Sequence, residues 1–442
     1  MIVSKFGGTS VGTYEAMVHS AGIVADNPER RLIVISATAG TTNDLVALES
    51  PNLTSTEREQ LIHDIENRHL TIISNLENRK ILISTLQRQL SELRAHLEQF
   101  GRDKRWKDKL YAFGELISTR IFTEVLRQHS VDAEWLDARK IIKTDSTFGN
   151  AAPDLMMIKK KADQFLSTDK VYLTQGFIGS DIFGSTTTLG RGGSDYSAAL
   201  FAEAVKADQL EIWTDVAGVY STDPRLVREA KPISEISFDE AAELSVFGGK
   251  VLHPATLKPA MRSAIKVRVA DSKRPEIPGT FIVTNTKKEP VVRAISLRKD
   301  QTLLTVRSLA MLHQHGFLAK LFSVLAENKI SVDLVTTSEV SVSLTLDTAM
   351  KASNKVELTE KVFRQLNEFC DVEVEKNLSL IALIGNRLNV TSGISGQLFS
   401  LLKEFNIRLV CHGASAHNLC FLVDENKAEE IVQIIHKKFI EL

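Results

Sequence analysis

The last third of the chain contains an internal repeat, and this feature restricts the fold more than any other. Residues 316–347 align with residues 393–424 at a constant offset of 77. Each copy has the order strand, glycine-containing loop, amphipathic helix, strand, turn and strand. A single offset across a helix and two strands predicts two copies of one small βαββ-type unit. Units with exposed sheet edges commonly pair side by side, within one chain or across a dimer.

A glycine-rich segment at residues 185–197 predicts an anion-binding loop. The segment reads STTTLGRGGSDYS. Closely spaced glycines let backbone N–H groups approach an anion. Arg191 adds a planar guanidinium that suits a carboxylate or a phosphate, and Asp195 can orient a lysine or a magnesium ion. The segment lacks the residue order of a P-loop, and a plain turn is the alternative interpretation.

The N-terminus predicts a strand, a glycine turn and a helix. An apolar run starts at Ile2, the sequence KFGGTS follows at residues 5–10, and helical character begins at Tyr14. The N-terminus of a helix favours an anion, because its first N–H groups are unpaired and its dipole is positive there. Lys5 stands at the end of the strand, where it can reach a phosphate. A surface lysine before a tight turn is the alternative.

Further apolar runs end in polar turns, which is typical of an α/β domain with a parallel sheet. Residues 32–37 form one such strand pattern, with Ser36 and then Thr42 at its carboxyl end. Residues 210–225 contain another, which ends at Thr214 and Asp215. Ligands of parallel sheets gather at the carboxyl ends of the strands, so these side chains are candidates for binding.

Two flanking residues and a second glycine turn fit a nucleotide. Tyr220 and Arg225 lie near the end of the segment 210–225. The Tyr220 ring would pack on a base, and the Arg225 guanidinium would contact phosphate. Core packing is an equal alternative for Tyr220. Lys250 follows two glycines, which again brings a cation close to an anion.

Residues 55–127 predict two or three amphipathic helices, because Leu and Ile recur there at spacings of three and four. Glu115 lies within this region among apolar neighbours. A solvated helix charge and a partly buried carboxylate are both open interpretations of Glu115.

The composition limits the classes of function. The 442 residues suffice for about two to three domains. Lys plus Arg number 54 and Asp plus Glu 55, a balance that argues against nucleic acid as a partner. No apolar stretch has the length of a membrane span, and no leader precedes the first strand. The three cysteines lack metal-type spacing, so we expect a reducing, cytoplasmic location and no metal site built from side chains.

Taken together, these segments resemble the aspartokinases of the amino acid kinase family. The matching segments follow the family's order: KFGGTS (5–10), the run at 36–43, GEL (114–116), TTTLGRGGSD (186–195), WTDVAGVYSTDPR (213–225) and FGGKVLHP (247–254). The C-terminal repeat is similar to the paired ACT units of these enzymes. Segments 311–313, 316–318, 331–333 and 336–339 resemble the lysine-sensitive, single-function branch.

The resemblance implies a fold and its division. The expected fold class is α/β: a three-layer sandwich with a mainly parallel central sheet, followed by two α+β ACT domains of βαββαβ-like form. The composition becomes linker-like from about residue 280. We therefore expect a catalytic domain at residues 1–286, a first ACT domain at 295–376 and a second at 377–442.

The resemblance also implies roles for individual residues. Lys5 would contact the transferring phosphate, and Asp195 would orient catalytic lysines. The residues that would bind substrate are Ser36, Thr42, Glu115, Arg191 and Ser194, with Glu115 meeting an α-amino group and Arg191 a carboxylate. The residues that would bind nucleotide are Lys5, Gly7, Gly8, Thr9, Thr214, Asp215, Tyr220, Arg225 and Lys250.

The implied reaction is phosphoryl transfer from ATP with Mg²⁺ to the β-carboxylate of L-aspartate, the first step of lysine, threonine and methionine biosynthesis. L-Lysine would inhibit at the ACT units, near Met311, Phe317, Leu318, Ser331, Val332, Asp333, Ser338 and Glu339. A homodimer through these units is expected, with a tetramer as the larger assembly.

Two other classes of function stay open. The chain could act on glutamate, N-acetylglutamate, a nucleotide or carbamate, as other amino acid kinases do. It could also be a catalytically silent amino-acid sensor that keeps the fold. Glu115 with Arg191 favours a free α-amino acid as substrate, and Lys5, Asp195 and Lys250 argue against a silent sensor.

Overall fold

Two units, each with its own sheet, make up the computed structural model of the chain. The structure describes residues 1–99, 103–167, 169–249, 254–312, 315–346 and 358–441. The first unit comprises Met1–Val219, Pro232–Ala242 and Lys250–Thr286. The second comprises Tyr220–Lys231, Glu243–Gly249 and Lys287–Leu442. The chain therefore passes from one unit to the other several times before residue 287.

The first unit is built on a mainly parallel sheet. Its strands are β1 (Ile2–Phe6), β2 (Arg30–Ile35), β3 (Ala133–Leu136), β4 (Val171–Gln175), β5 (Ile178–Ser180), β6 (Thr186–Thr188), β7 (Gln209–Thr214), β8 (Glu235–Ser237), β9 (Lys266–Asp271) and β10 (Thr280–Val283). Eight of them form one sheet in the order β3-β4-β2-β1-β7-β9-β10-β8. Only β9 and β10 pair antiparallel in this sheet, and β5 and β6 form a separate antiparallel hairpin.

Helices cover both faces of this sheet. The helices of this part of the chain are α1 (Tyr14–Ala25), α2 (Thr41–Ala47), α3 (Ser55–Ile73), α4 (Arg79–Leu97), α5 (Lys104–Gln128), α6 (Leu155–Phe165), α7 (Gly193–Ala204), α8 (Phe238–Val246) and α9 (Pro254–Arg262). Helix α8 belongs to the first unit up to Ala242 and to the second unit from Glu243. Phe6, Ile35 and Trp213 point from the central strands into one apolar cluster with α1, α3, α4 and α5. Helix α7 contacts β1 and β7. Strands buried on both faces explain their near-continuous apolar sequence.

The helical region predicted at residues 55–127 is confirmed as helices α3, α4 and α5. Helix α3 begins with a capping box, in which the Thr54 side chain accepts from the Glu57 amide and Glu57 accepts from the Thr54 amide. Leu86, Leu90 and Leu93 lie on the buried face of α4, as their spacing predicts. No helix within the described ranges is long and apolar enough to cross a membrane.

The second unit contains the repeat as one antiparallel sheet with helices. Its strands are β11 (Val292–Arg307), β12 (Val332–Thr337), β13 (Ser341–Leu346), β14 (Asp371–Gly385), β15 (Ile407–His412) and β16 (Asn418–Asp424), in the order β12-β13-β11-β14-β16-β15. Its helices are α10 (Phe317–Glu327), α11 (Glu360–Asn367), α12 (Ile394–Leu401) and α13 (Glu425–His436). Helices α10 and α12 begin after Gly316 and Gly393, whose φ angles are 88° and 81°. Only glycine adopts this backbone readily, which explains why the repeat keeps it.

The two long strands of the second unit join the copies. The first part of β11 pairs with the last part of β14, as in Ile295 opposite Leu383. The remainder of β11 pairs with the start of β14, as in Val306 opposite Val372. Ile295 therefore packs in the apolar cluster of the second copy, and Val306 in that of the first. The predicted boundary between the two ACT domains at residues 376 and 377 stays a prediction. The start of β11 packs in the apolar cluster of the second copy.

Candidate active site

A cavity of about 350 Å³ lies at the carboxyl ends of β1 and β2 in the first unit. Residues from several loops line it: Lys5, Gly8, Ser36, Ala37, Thr38, Ala39, Gly40, Thr42, Glu115, Phe177, Gly190, Gly192, Gly193, Ser194 and Asp195. The sequence patterns at residues 5–10, 36–43, 114–116 and 186–195 thus converge in space. This is the edge at which a parallel sheet binds its ligands.

An ion pair between Lys5 and Asp195 crosses the cavity. The Lys5 Nζ lies 2.5 Å from the Asp195 Oδ1, and both side chains are largely buried. Asp195 stands in the first turn of α7, which starts after Gly192 in a left-handed conformation with φ 70°. The Lys5 ammonium and the positive end of the α7 dipole therefore lie together at this wall of the cavity, an arrangement that suits an anion.

Glycines let the loops of the cavity approach one another closely. A Cβ on Gly176 would lie 2.7 Å from the Ser194 Cβ, and a Cβ on Gly193 would lie 2.6 Å from the Phe177 ring. Phe177 itself has φ 69°, and the Ile178 N–H donates to the Gly176 carbonyl across it. Such a γ-turn is strained and is held by the packing around it.

Glu115 is the buried carboxylate of the cavity. It is only 5% exposed, so the solvated alternative is wrong. Burial raises the pKa of Glu115 to about 8, while a hydrogen bond from the Ala37 amide opposes that rise. Gly114 makes the approach possible, because a Cβ there would lie 2.8 Å from the Ala37 Cβ. A carboxylate so poor in partners favours a cation as its ligand.

Helix α5 is held in place by a second buried carboxylate, Asp108. Asp108 accepts hydrogen bonds from the Gly149 amide at 3.0 Å and from the Thr188 amide and hydroxyl, both at 2.8 Å. Burial raises the pKa of Asp108 despite these bonds. The same helix thus carries Glu115 and fixes the strand that leads into the glycine-rich loop.

The structure places the predicted site residues in different parts of the molecule. Those that line the cavity are Lys5, Gly8, Ser36, Thr42, Glu115, Ser194 and Asp195. Arg191 is exposed in the same loop. Gly7, Thr9, Thr214 and Asp215 lie at the neighbouring ends of β1 and β7, where the Gly7 amide donates to the Trp213 carbonyl at 3.1 Å. Tyr220 and Arg225 belong to the second unit, and Lys250 lies outside the described residues.

The predicted regulatory residues all belong to the second unit. Val332 and Asp333 lie in the edge strand β12, and Asp333 forms an ion pair with Arg298 of β11. Ser338 bonds Ser341 in the following turn. The remaining members of the set are Met311, Phe317, Leu318, Ser331 and Glu339, of which Phe317 is buried and Leu318 is 41% exposed.

Sequence reasoning missed Thr38, His69, Asp108 and Phe177. Thr38 and Phe177 line the cavity, and the other two residues bond its walls. His69 carried a signal, because it occupies a position of α3 whose helical spacing otherwise holds isoleucine. Asp108 carried none, since its partners lie more than forty residues away along the chain.

Comparison with known proteins matches both parts of the chain to protein families. Residues 1–271 match the model of the amino acid kinase family, and residues 304–357 and 381–439 match that of the ACT domain. Lysine-sensitive aspartokinase 3 of Escherichia coli K12 is 48% identical over 447 residues, covering 100% of the chain and 99% of that protein.

Two crystal structures of E. coli aspartokinase III are similar to the whole chain. The complex with aspartate and ADP, in the R state, has a TM-score of 0.88 at 48% identity and covers 99% of each chain. The complex with lysine and aspartate, in the T state, has a TM-score of 0.89 at 47% identity, with 100% of this chain and 99% of that chain covered.

Proposed function

The chain belongs to the aspartokinases of the amino acid kinase family, with ACT domains after the kinase, and from this premise we propose a reaction for its cavity. The cavity transfers the γ-phosphoryl group of ATP to the β-carboxylate of L-aspartate and gives 4-phospho-L-aspartate. One observation carries the proposal: the Lys5–Asp195 ion pair and the buried Glu115 carboxylate line a single cavity. The product would enter lysine, threonine and methionine biosynthesis.

The reaction needs positioning and neutralisation of charge more than it needs a base. The β-carboxylate of aspartate is already ionised at neutral pH, so it attacks without losing a proton. The obstacle is the repulsion between two anions and the charge that develops on the phosphoryl oxygens. Lys5 supplies a positive charge at the end of β1, and the N–H groups at the start of α7 add to it. Asp195 keeps the Lys5 ammonium in place.

Aspartate is held at both of its α-substituents in this proposal. The α-ammonium group meets Glu115, whose carboxylate has no charged partner among its described hydrogen bonds and gains one on binding. The α-carboxylate meets Arg191 in the glycine-rich loop. Hydroxyls of Ser36, Thr42 and Ser194 complete the site, and these three residues line the cavity.

The nucleotide takes the ends of β1 and β7. The backbone of Gly7, Gly8 and Thr9 would approach the phosphates beside Thr214 and Asp215, and we keep Tyr220, Arg225 and Lys250 as predicted contacts. Among the described residues no cluster of His, Cys, Asp and Glu could hold a metal ion. We propose that Mg²⁺ would enter with ATP and would neutralise part of the charge of the phosphates.

Aspartate-dependent release of ADP from Mg-ATP by the purified chain tests the reaction. L-Glutamate and N-acetyl-L-glutamate serve as matched acceptors, because they separate this activity from those of other amino acid kinases. Turnover with aspartate alone supports the proposal. Turnover with a glutamate derivative alone, or with none of the three acceptors, contradicts it.

Replacing Arg191 tests how aspartate is oriented. We expect Arg191→Ala to raise the KM for aspartate by about tenfold or more, because one charge-assisted hydrogen bond to a carboxylate is lost. The KM for ATP should change little. Arg228→Ala is the control, since Arg228 is an exposed arginine of the second unit. An unchanged KM for aspartate in Arg191→Ala would remove Arg191 from the site.

We further propose that L-lysine inhibits by binding to the second unit, near the edge strand β12. The carboxylate of Asp333 is a suitable partner for the lysine side-chain ammonium, which would compete there with Arg298. Ligand binding would then bias a two-state arrangement of the enzyme. We also propose a homodimer through the second unit, with a tetramer as the larger assembly, because strands at the end of a sheet, such as β12, commonly pair between copies.

Calorimetry tests the lysine site. We expect millimolar L-lysine to bind, and Asp333→Asn to weaken that binding by about tenfold, the effect of one charged hydrogen bond. Glu327→Gln is the matched control, because Glu327 is an exposed carboxylate on α10 of the same unit. Absence of lysine binding to the wild type would overturn the regulatory proposal and leave the kinase proposal intact.

The cellular location is inferred from the cysteines. Cys370, Cys411 and Cys420 are all free thiols. Reducing compartments keep thiols in this form, so we propose that the enzyme acts in the cytoplasm.

A further inference from the structure

Helix α3 carries a buried histidine against the back of the aspartate cavity. His69 is fully buried, with its Nδ1 2.7 Å from the Ile65 carbonyl oxygen and its Nε2 3.1 Å from the Thr38 Oγ1. A carbonyl oxygen only accepts, so Nδ1 bears the proton and Nε2 is an acceptor. Thr38 therefore donates its hydroxyl proton to His69. The tautomer of the ring follows from its two partners.

This hydrogen bond persists across the pH range in which an enzyme works. Burial lowers the pKa of His69 to about 4, and the neighbouring Arg68 charge acts in the same direction. The ring is therefore neutral and remains an acceptor at any pH near neutrality. Arg68 itself is paired with Asp44 at 2.8 Å and also bonds the Thr41 hydroxyl, so α3 holds the cavity loop at more than one point.

Thr38 connects His69 to the Glu115 carboxylate through the neighbouring backbone. The residue before it, Ala37, donates its amide hydrogen to Glu115. The residue after it, Ala39, donates its amide hydrogen to the Gly8 carbonyl at 3.2 Å, and the Thr38 carbonyl accepts from the Thr41 amide at 3.0 Å. The backbone hydrogen bonds on both sides of Thr38, together with the bond from its side chain to His69, restrict the movement of residues 37–41.

We propose that His69 is a positioning residue for the aspartate site, which holds Thr38 and thereby aims the Ala37 amide at Glu115. The inference deepens the proposed function and rests on it. His69 touches neither aspartate nor nucleotide in this arrangement. His69 fixes the surroundings of the Glu115 carboxylate, which binds the α-ammonium group of aspartate.

The charged groups near Glu115 and His69 are paired with other residues. The interaction that His69 controls is therefore the hydrogen bond from the Ala37 N–H to the Glu115 carboxylate. Lys5 and Asp195 line the cavity with Glu115 and pair with each other. On the other side of the loop, Arg68 pairs with Asp44. Loss of the Ala37 amide bond would disfavour the Glu115 carboxylate and move its titration toward higher pH.

Steady-state kinetics of His69→Leu over a range of pH test the proposal. We expect the KM for aspartate to rise about tenfold, the effect of one buried hydrogen bond, while kcat changes by less than about threefold. The midpoint of the rise of kcat/KM with pH should also shift to higher pH. A merely structural role would lower thermal stability without moving that midpoint.

Two further variants make the test specific. His69→Gln should restore both the KM and the midpoint, because its amide can accept from Thr38 and donate to the Ile65 carbonyl. His63→Leu, an exposed histidine on the same helix, should match the wild type. If His69→Leu does not fold, Thr38→Val removes the same hydrogen bond from the other side and should reproduce the shift.

The outcomes separate this inference from the proposed function. A wild type that turns over aspartate, together with a folded His69→Leu of unchanged KM and midpoint, overturns the positioning role alone. Equal losses in His69→Leu and His69→Gln also overturn it, since packing would then account for both. A wild type without aspartate-dependent turnover overturns the proposed function itself.

Discussion

Removal of the Lys5 ammonium is expected to lower kcat by about a hundredfold or more, the usual effect of losing one preorganised partner of the transition state. Lys5 is 8% exposed, its Nζ lies 2.5 Å from Asp195, and among the described residues that line the cavity no other side chain is a cation. In Lys5→Ala the charge that develops on the phosphoryl oxygens would be met only by backbone N–H groups and by the metal of the nucleotide. The measurement is aspartate-dependent ADP release at saturating substrates.

The control for this variant is Lys80→Ala, which removes an exposed lysine from α4 and should leave kcat unchanged. Lys5→Arg is informative as well. It keeps the charge but places a longer planar group where a compact ammonium fits, so it should recover only part of the rate. Turnover of Lys5→Ala within a few-fold of the wild type would exclude Lys5 from the chemistry.

The sequence was sufficient for the parts of the site that local pattern determines. Lys5, Ser36 and Thr42 follow apolar strands, and parallel strands bring their carboxyl ends to one edge, so their convergence was predictable. The glycines around Asp195 were predictable for a similar reason, because close backbone approach demands them. In the second unit, the constant offset of the repeat predicted matching helices, and α10 and α12 begin at equivalent positions.

The rest depends on contacts between distant segments, which local pattern does not encode. The environment of Glu115 is created by Ala37 packing against Gly114, and a glutamate within a helix gives no sign of that. Asp108 and His69 are similar cases, since each finds its partners across the chain. The assignment of residues 220–231 and 243–249 to the second unit is also a product of packing, because nothing in their composition distinguishes them from the kinase sequence around them.

Glu115→Gln is expected to raise the KM for aspartate by roughly 30-fold or more at alkaline pH, because a buried carboxylate that bonds an ammonium group is replaced by a neutral amide. It should also change the pH dependence. In the wild type the pKa of Glu115 is raised to about 8, so the free enzyme gains the carboxylate form only as the pH approaches that value. The kcat/KM for aspartate should therefore rise with pH and level off above about 8, whereas the variant should lack this rise.

The same substitution should affect stability with a defined sign. The pKa of Glu115 rises from 4.5 to about 8, so the folded protein holds a proton that the unfolded chain has lost. Wild-type stability therefore falls as pH increases through this window, by an amount of order 3–5 kcal/mol, and the glutamine variant escapes the loss. Without substrate, Glu115→Gln should melt at a higher temperature than the wild type at alkaline pH and at a similar temperature at acidic pH.

Glu92→Gln, at an exposed glutamate of α4, should show neither effect. A Glu115→Gln enzyme with wild-type KM and a wild-type pH profile would mean that the α-ammonium group of aspartate binds elsewhere, while a lowered melting temperature at alkaline pH would mean that the Glu115 carboxylate is charged and well solvated in the free enzyme.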